Sequence, residues 1–192
     1  MAKTPLPETA SQTAGPYVHI GLAPKVAGLE RPLPTLGSEI AGPDVPGARI
    51  TLEGCVFDGD GKPVTDAMIE LWQADARGRF AGSDGCASGF QGWGREAADF
   101  MTGLWRFETI KPGSVGAQAP HLAIWIVARG INIGLHTRAY FEDEGEANAS
   151  DPVLVSLVQN RRAGLIARHV SPRVYRFDIH LQGPQETVFF DL

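Results

Sequence analysis

The chain is poor in cysteine. Among 192 residues only Cys55 and Cys86 occur, with no CxxC spacing, so a disulfide framework and a thiolate-rich zinc site are both excluded. Two reduced thiols in a cytoplasmic protein are the expectation. A basic block is also missing. Lys and Arg number 17 against 22 Asp and Glu, a formal net charge of −5, which leaves nothing to neutralise a run of phosphates and excludes a nucleic-acid surface. No apolar run approaches the ~18 residues that span a bilayer, so no membrane segment is expected. Met1-Ala2-Lys3-Thr4-Pro5 leads into no apolar signal core. The serine-nucleophile elbow, the P-loop and the dinucleotide fingerprint are absent as well. Histidines and carboxylates remain as candidate chemistry.

What is present is a strand pattern. Hydrophobic content of 43% and charged content of 20% suit one globular domain. Residues 1–49 are proline-rich with little periodicity and read as an extended N-terminal arm, 50–192 as the folded domain. Ile50, Leu52 and Val56 alternate, and Asp58-Gly59-Asp60-Gly61 supplies a tight turn. Strands are expected over 67–74, 104–110 and 131–141. In 173–181, Val174, Arg176, Asp178 and His180 share one face and Tyr175, Phe177 and Ile179 the other. Residues 81–100 read as a long glycine-rich loop, and Asp151-Pro152 opens the one short helix. The ending, 187–192, is apolar and expected to dock. Short strands divided by Gly and Pro turns predict an all-β protein, an antiparallel β-sandwich with an extended N-terminal arm, long loops and one short helix.

The longest apolar run, Ala119-Pro120-His121-Leu122-Ala123-Ile124-Trp125-Ile126-Val127-Ala128-Arg129, reads as a central strand buried on both faces, with His121 and Arg129 at opposite rims. On a strand, positions i and i+2 share a face, so the metal-ligand partner of His121 is position 123, which is alanine. No other histidine among 19, 136, 169 and 180 is spaced to join it. A lone rim histidine is most often a hydrogen-bonded structural residue. Arg129 must place its guanidinium in solvent, on a carboxylate or on an anionic ligand. The segment 12–20 sets small residues before Tyr17 and reads first as a turn into a segment packed on the domain, with a close-approach loop as the alternative. Glu142-Asp143-Glu144 reads as a solvated acidic loop.

Four motifs together are specific: Ile69-Glu70-Leu71-Trp72-Gln73-Ala74-Asp75, Phe107-Glu108-Thr109-Ile110-Lys111-Pro112-Gly113, Ala119-Pro120-His121 and Tyr175-Arg176-Phe177-Asp178-Ile179. In order and spacing they resemble the intradiol ring-cleaving dioxygenases over roughly 50–192, and residues 13–22, 128–133 and 186–191 extend the likeness to nearly the whole chain. The resemblance implies a β-sandwich whose catalytic members hold non-haem ferric iron through two tyrosines and two histidines. At those places this chain has Phe80, Val115, His121 and Ala123, so three of the four donors are gone. A glutamine, Gln118, stands where an arginine near the first histidine is expected. The resemblance therefore implies an iron-free alpha subunit, inactive alone, with Fe(III) bound by a partner beta chain in a higher αβ oligomer. It implies protocatechuate and O₂ as substrates and 3-carboxy-cis,cis-muconate as product. By the same resemblance Thr13, Gly15, Pro16, Tyr17 and Arg129 line the partner's pocket, which makes the arm functional. Two other expectations stay open: a non-enzymatic β-sandwich binding module that has lost its metal, and an autonomous metalloenzyme using His121 with Tyr140, Tyr175 or other histidines.

Overall fold

The computed structural model describes residues 12–15, 17–29 and 36–191. Its described strands, in chain order, are β1 (Arg49–Phe57), β2 (Met68–Trp72), β3 (Trp93–Ala97), β4 (Leu104–Ile110), β5 (His121–Val127), β6 (Leu135–Phe141), β7 (Ile166–Ser171), β8 (Val174–Arg176) and β9 (Ile179–His180). They run β3-β2-β5-β6-β7-β8-β1-β4, with β9 beside β1. The β3-β2-β5-β6 and β8-β1-β4 stretches form the two layers of a sandwich, linked through β7. Between them lie Ile69, Leu71, Leu122, Ile124 and Ile126 from one side and Leu52, Val56, Trp105, Phe107 and Phe177 from the other, all nearly inaccessible. Each such fully buried side chain contributes about 1.5–3 kcal/mol, so this interior carries the fold.

The all-β sandwich stands, but the strands are not all antiparallel. Residues β1 and β8, β1 and β9, and β6 and β7 pair in parallel. Parallel neighbours need a long crossover rather than a hairpin, and a period-two pattern carries no record of which distant strand lies alongside. The 81–100 loop also contains β3, whose Trp93-to-Ala97 register on β2 was invisible among glycines. Nor is the Asp151 helix the only one. Alongside α3 (Pro152–Ser156) there are α1 (Tyr17–Leu22), α2 (Gly145–Ser150) and α4 (Gln159–Arg162), each six residues or shorter and too short to show a helical period. The arm is thus partly helical. Its later part is part of the body: Ile40, Ala41 and Val45 are buried, and Ala41 bridges Phe90.

Strand β5 sits between β2 and β6. Only one face is in the core. Leu122, Ile124 and Ile126 point inward, while His121, Ala123, Trp125 and Val127 form a half-buried outer face. The aromatic content that made the run look doubly buried is Trp125, which lies across from Glu70 and His136. The alternation expected at 174–180 is present, with Tyr175, Phe177 and Ile179 buried. The C-terminal segment docks: Val188 O accepts a bond from the Thr137 hydroxyl at 2.8 Å, and Phe190 bridges His136. Among the described residues no helix is long and apolar enough to cross a membrane.

Candidate functional site

The sequence motifs are first of all a buttress. Gln73 is 2% exposed; its Nε2 donates to Ile110 O at 2.9 Å, and its Oε1 accepts from the Thr109 hydroxyl at 2.6 Å. That ties the end of β2 to the end of β4. Asp75 accepts backbone bonds from Arg77, Arg79 and Ala87. Burial alone would raise its pKa, but those N–H bonds outweigh it and hold the carboxyl below the usual range. Lys111 then bonds Asp143 Oδ2 at 2.7 Å and Glu144 Oε1 at 2.6 Å, with its ammonium 5.2 Å from the Phe141 ring. Glu142 and Asp143 are exposed, as expected of a solvated loop, and Asp143 and Glu144 in addition pair with a lysine. Desolvation pulls the Lys111 pKa down, but the two carboxylates win and raise it.

At the four positions where the resemblance expects iron ligands, only His121 carries a donor atom in its side chain. Phe80 follows the Asp75 turn and is 46% exposed, Val115 is bridged to Gln118, and Ala123 lies opposite Trp72 and Arg138. His121 Nδ1 is 2.8 Å from Ala119 O, so this nitrogen is spent on the backbone of its own strand entry. Desolvation lowers the His121 pKa, with Arg138 pushing the same way against the Ala119 bond and Asp151. Tyr140, its register partner, is fully buried, and its hydroxyl lies 3.2 Å from Asp151 Oδ1. Burial drives its pKa up to about 12, the opposite of what a phenolate ligand needs. Among the described residues no group of three or more His, Cys, Asp or Glu is placed to hold a metal. Ferric iron wants several hard or imidazole donors, and this set does not fit it. What remains beside Ala123 is an apolar groove of about 380 Å³ walled by Trp72, Trp125 and Phe190, with Arg138 at its edge.

The other expected residues gather at the far end of β5. Past Val127 the chain turns through Ala128, Arg129 and Gly130, the last at φ 88°, closed by an Ile131 N–H bond to Ala128 O at 3.2 Å. Thr13 reaches across 117 positions: its hydroxyl accepts the Gly130 N–H at 2.6 Å and has Ala128 O within 3.5 Å. Arg129 is largely exposed and donates from Nε to Asp66. Gly15 O starts α1 by accepting the Val18 N–H at 3.0 Å, and Tyr17 is 81% exposed at its first position. Pro16 lies outside the described residues. His19 is buried against Phe100, ring centroids 5.3 Å apart, with no partner for Nε2. Desolvation lowers its pKa, with Asp66 and Arg129 pulling in opposite directions. Thr13 and Arg129 are thus brought together, Gly15 and Tyr17 lie on the adjoining helix start, and Phe80, Val115 and Ala123 are left with no donor to contribute. Asp66 and His19 escaped the sequence argument. His19 stood inside the 12–20 segment but had no partner at strand spacing, and Asp66 sits in an ordinary turn before β2.

A two-layer sandwich of this kind has relatives. The dioxygenase family model matches residues 34–183. The chain belongs to the intradiol ring-cleaving dioxygenase family, whose members imply non-haem iron chemistry. The dioxygenase domain of a dioxygenase–carbohydrate-binding fusion from Streptomyces sp. SirexAA-E has a TM-score of 0.59 at 26% identity, covering 78% of this chain and 86% of that one. Closer in sequence, the chain is 49% identical to the protocatechuate 3,4-dioxygenase alpha chain of Pseudomonas putida over 97% of each. The beta chain of that enzyme from Burkholderia cepacia is 32% identical over 73% of this chain and 67% of its own length. The likeness to the alpha chain is therefore the stronger.

Proposed function

We propose that the chain is the iron-free alpha subunit of a protocatechuate 3,4-dioxygenase, and that a beta chain holding non-haem ferric iron completes it in a higher αβ oligomer. The observation that carries this reading is the donor set at the family's iron positions, Phe80, Val115 and Ala123, beside an alpha-chain likeness of 49%. On this reading the pair consumes O₂ and opens the protocatechuate ring between its two hydroxyls, giving 3-carboxy-cis,cis-muconate. The contribution of this chain is recognition. Protocatechuate carries a carboxylate opposite its hydroxyls, and a guanidinium meets a carboxylate with two charge-assisted bonds. Arg129 supplies that group from the end of β5, Thr13 clasps the turn beneath it, and Tyr17 offers a hydroxyl from the arm. Gly15, with open space where a side chain would stand, allows a close approach. The division into an arm of residues 1–49 and a sandwich of 50–192 then narrows: the part of the arm around Thr13 to Tyr17 reaches the partner's pocket, while Ile40, Ala41 and Val45 pack with the sandwich.

The test is co-expression with a beta chain. Iron counted on the assembled pair should be one ferric ion per αβ, and the chain purified alone should hold none; stoichiometric ferric absorption from the chain alone would sink the reading. Arg129→Ala in the pair should raise the KM for protocatechuate about tenfold or more, since bonds to a charged group are worth about 1.5–3 kcal/mol. Unchanged KM in an intact assembly would remove Arg129 from the pocket. A pair without turnover would favour a binding module instead.

A further inference from the structure

The end of β5 holds a carboxylate with no part in the recognition described so far. Asp66 lies in the turn before β2, with a side chain 16% exposed against 70% for Arg129. It takes the Arg129 guanidinium through Nε alone. Among the described residues neither Nη nitrogen has an acceptor, so the end-on pair, the edge that meets a carboxylate with two parallel bonds, is left open. The base of the arginine is fixed too, by the Thr13–Gly130 bond and the Ala128 turn. A shielded anion grips the side edge of an exposed fork whose backbone is clasped. That is how a flexible four-bond side chain is narrowed to one direction before a ligand arrives.

We propose that Asp66 is a positioning residue for the carboxylate subsite, holding Arg129 by Nε so that Nη1 and Nη2 face the carboxylate of the substrate. This rests on the assignment of Arg129 to the substrate pocket. Asp66 has two effects of opposite sign. It orders the guanidinium, which tightens binding, and its charge weakens the local attraction for an anion, which loosens it. Both act at close range on one guanidinium, and the proposal is that ordering outweighs the repulsion. His19, beside both side chains, adds no acceptor for the fork, since its Nε2 is buried without a partner.

Substitution separates the two effects. Asp66→Asn keeps an acceptor oxygen for Nε and loses the charge; Asp66→Ala loses both. In the assembled αβ enzyme, checked for iron per pair, the readouts are the KM for protocatechuate and the inhibition constant of catechol, which lacks the carboxylate. Asp66→Ala should raise the ratio of the two about tenfold, the scale expected when a clamp is misplaced, and Asp66→Asn about threefold or less. In an Arg129→Ala background Asp66→Ala should add nothing, because the residue it orients is gone. A KM unchanged or lowered by Asp66→Ala, while Arg129→Ala raises it, overturns the proposal and leaves the pocket assignment standing. Equal losses for both ligands also overturn it, marking a packing defect. If Arg129→Ala itself changes nothing, the underlying assignment fails instead.

Discussion

Removing the Asp151 carboxylate is the perturbation that probes most directly how the His121 end of β5 is held together. The side chain is fully buried and has four donors around it. Oδ1 accepts the Val153 and Leu154 N–H groups at 2.8 and 2.9 Å, capping α3, and lies 3.2 Å from the Tyr140 hydroxyl; Oδ2 accepts the Ala119 N–H at 2.9 Å. One carboxylate therefore joins the helix, β6 and the entry to β5 where His121 begins. Asp151→Ala uncaps the helix, at about 1 kcal/mol. It also strands a buried backbone N–H and a buried phenol, each at about 1–3 kcal/mol. The expected loss is about 3–7 kcal/mol, set against a total of about 5–15 kcal/mol for a domain. Asp151→Asn keeps the cap and turns an amide against the Ala119 N–H, costing about 1–3 kcal/mol. Urea denaturation of the purified chain, followed by tryptophan fluorescence, measures both. An Ala variant within about 1 kcal/mol of the parent, or an Asn variant as damaged as the Ala one, would refute the hub.

Two further outcomes are expected. Burial depresses the pKa of both His121 and His19 below 6.5, so on acidification the unfolded chain binds protons first. Stability should be fully present above 6.5 and fall as pH drops from there towards the lowered folded values; a thermal melting series across that window should flatten in a His19→Gln/His121→Gln variant, and an unaltered slope would contradict the assignment. Gly54→Ala should cost about 3 kcal/mol, because the added Cβ would stand 1.9 Å from the Phe177 carbonyl oxygen, a backbone atom that cannot swing aside. A urea midpoint equal to that of the parent would show that β1 and the Phe177 segment can part freely.

Much of the fold was legible because its signals are local. A period of two at 104–110 and 174–180 follows from one face meeting a core, and the glycines and prolines between mark turns whatever lies across from them; β1, which also read as alternating, is instead buried on both faces. The helix at Asp151 was legible for the same reason, since a cap and an N1 proline act within four residues. Strand β3 was not legible, because Gly94 and its neighbours show no alternation until β2 supplies the partner. The parallel pairings were hidden too, since a strand's own pattern is the same beside either direction of neighbour. The pairing of Asp143 and Glu144 with a lysine was out of reach as well, because Lys111 lies 32 positions from Asp143.

The site divides along the same line. Phe80, Val115 and Ala123 carry no phenol or imidazole whatever the fold, because a missing donor atom cannot be restored by packing. What the sequence could not decide is where Arg129 spends its charge. For a strand-end arginine, an ion pair or water together weighed about as much as a ligand. Only the folded chain brings Asp66 and Thr13, 63 positions behind Arg129 and 117 behind Gly130, to the same turn. Charge and hydrogen bonding act through distance in space, and that distance exists only after the sandwich has closed.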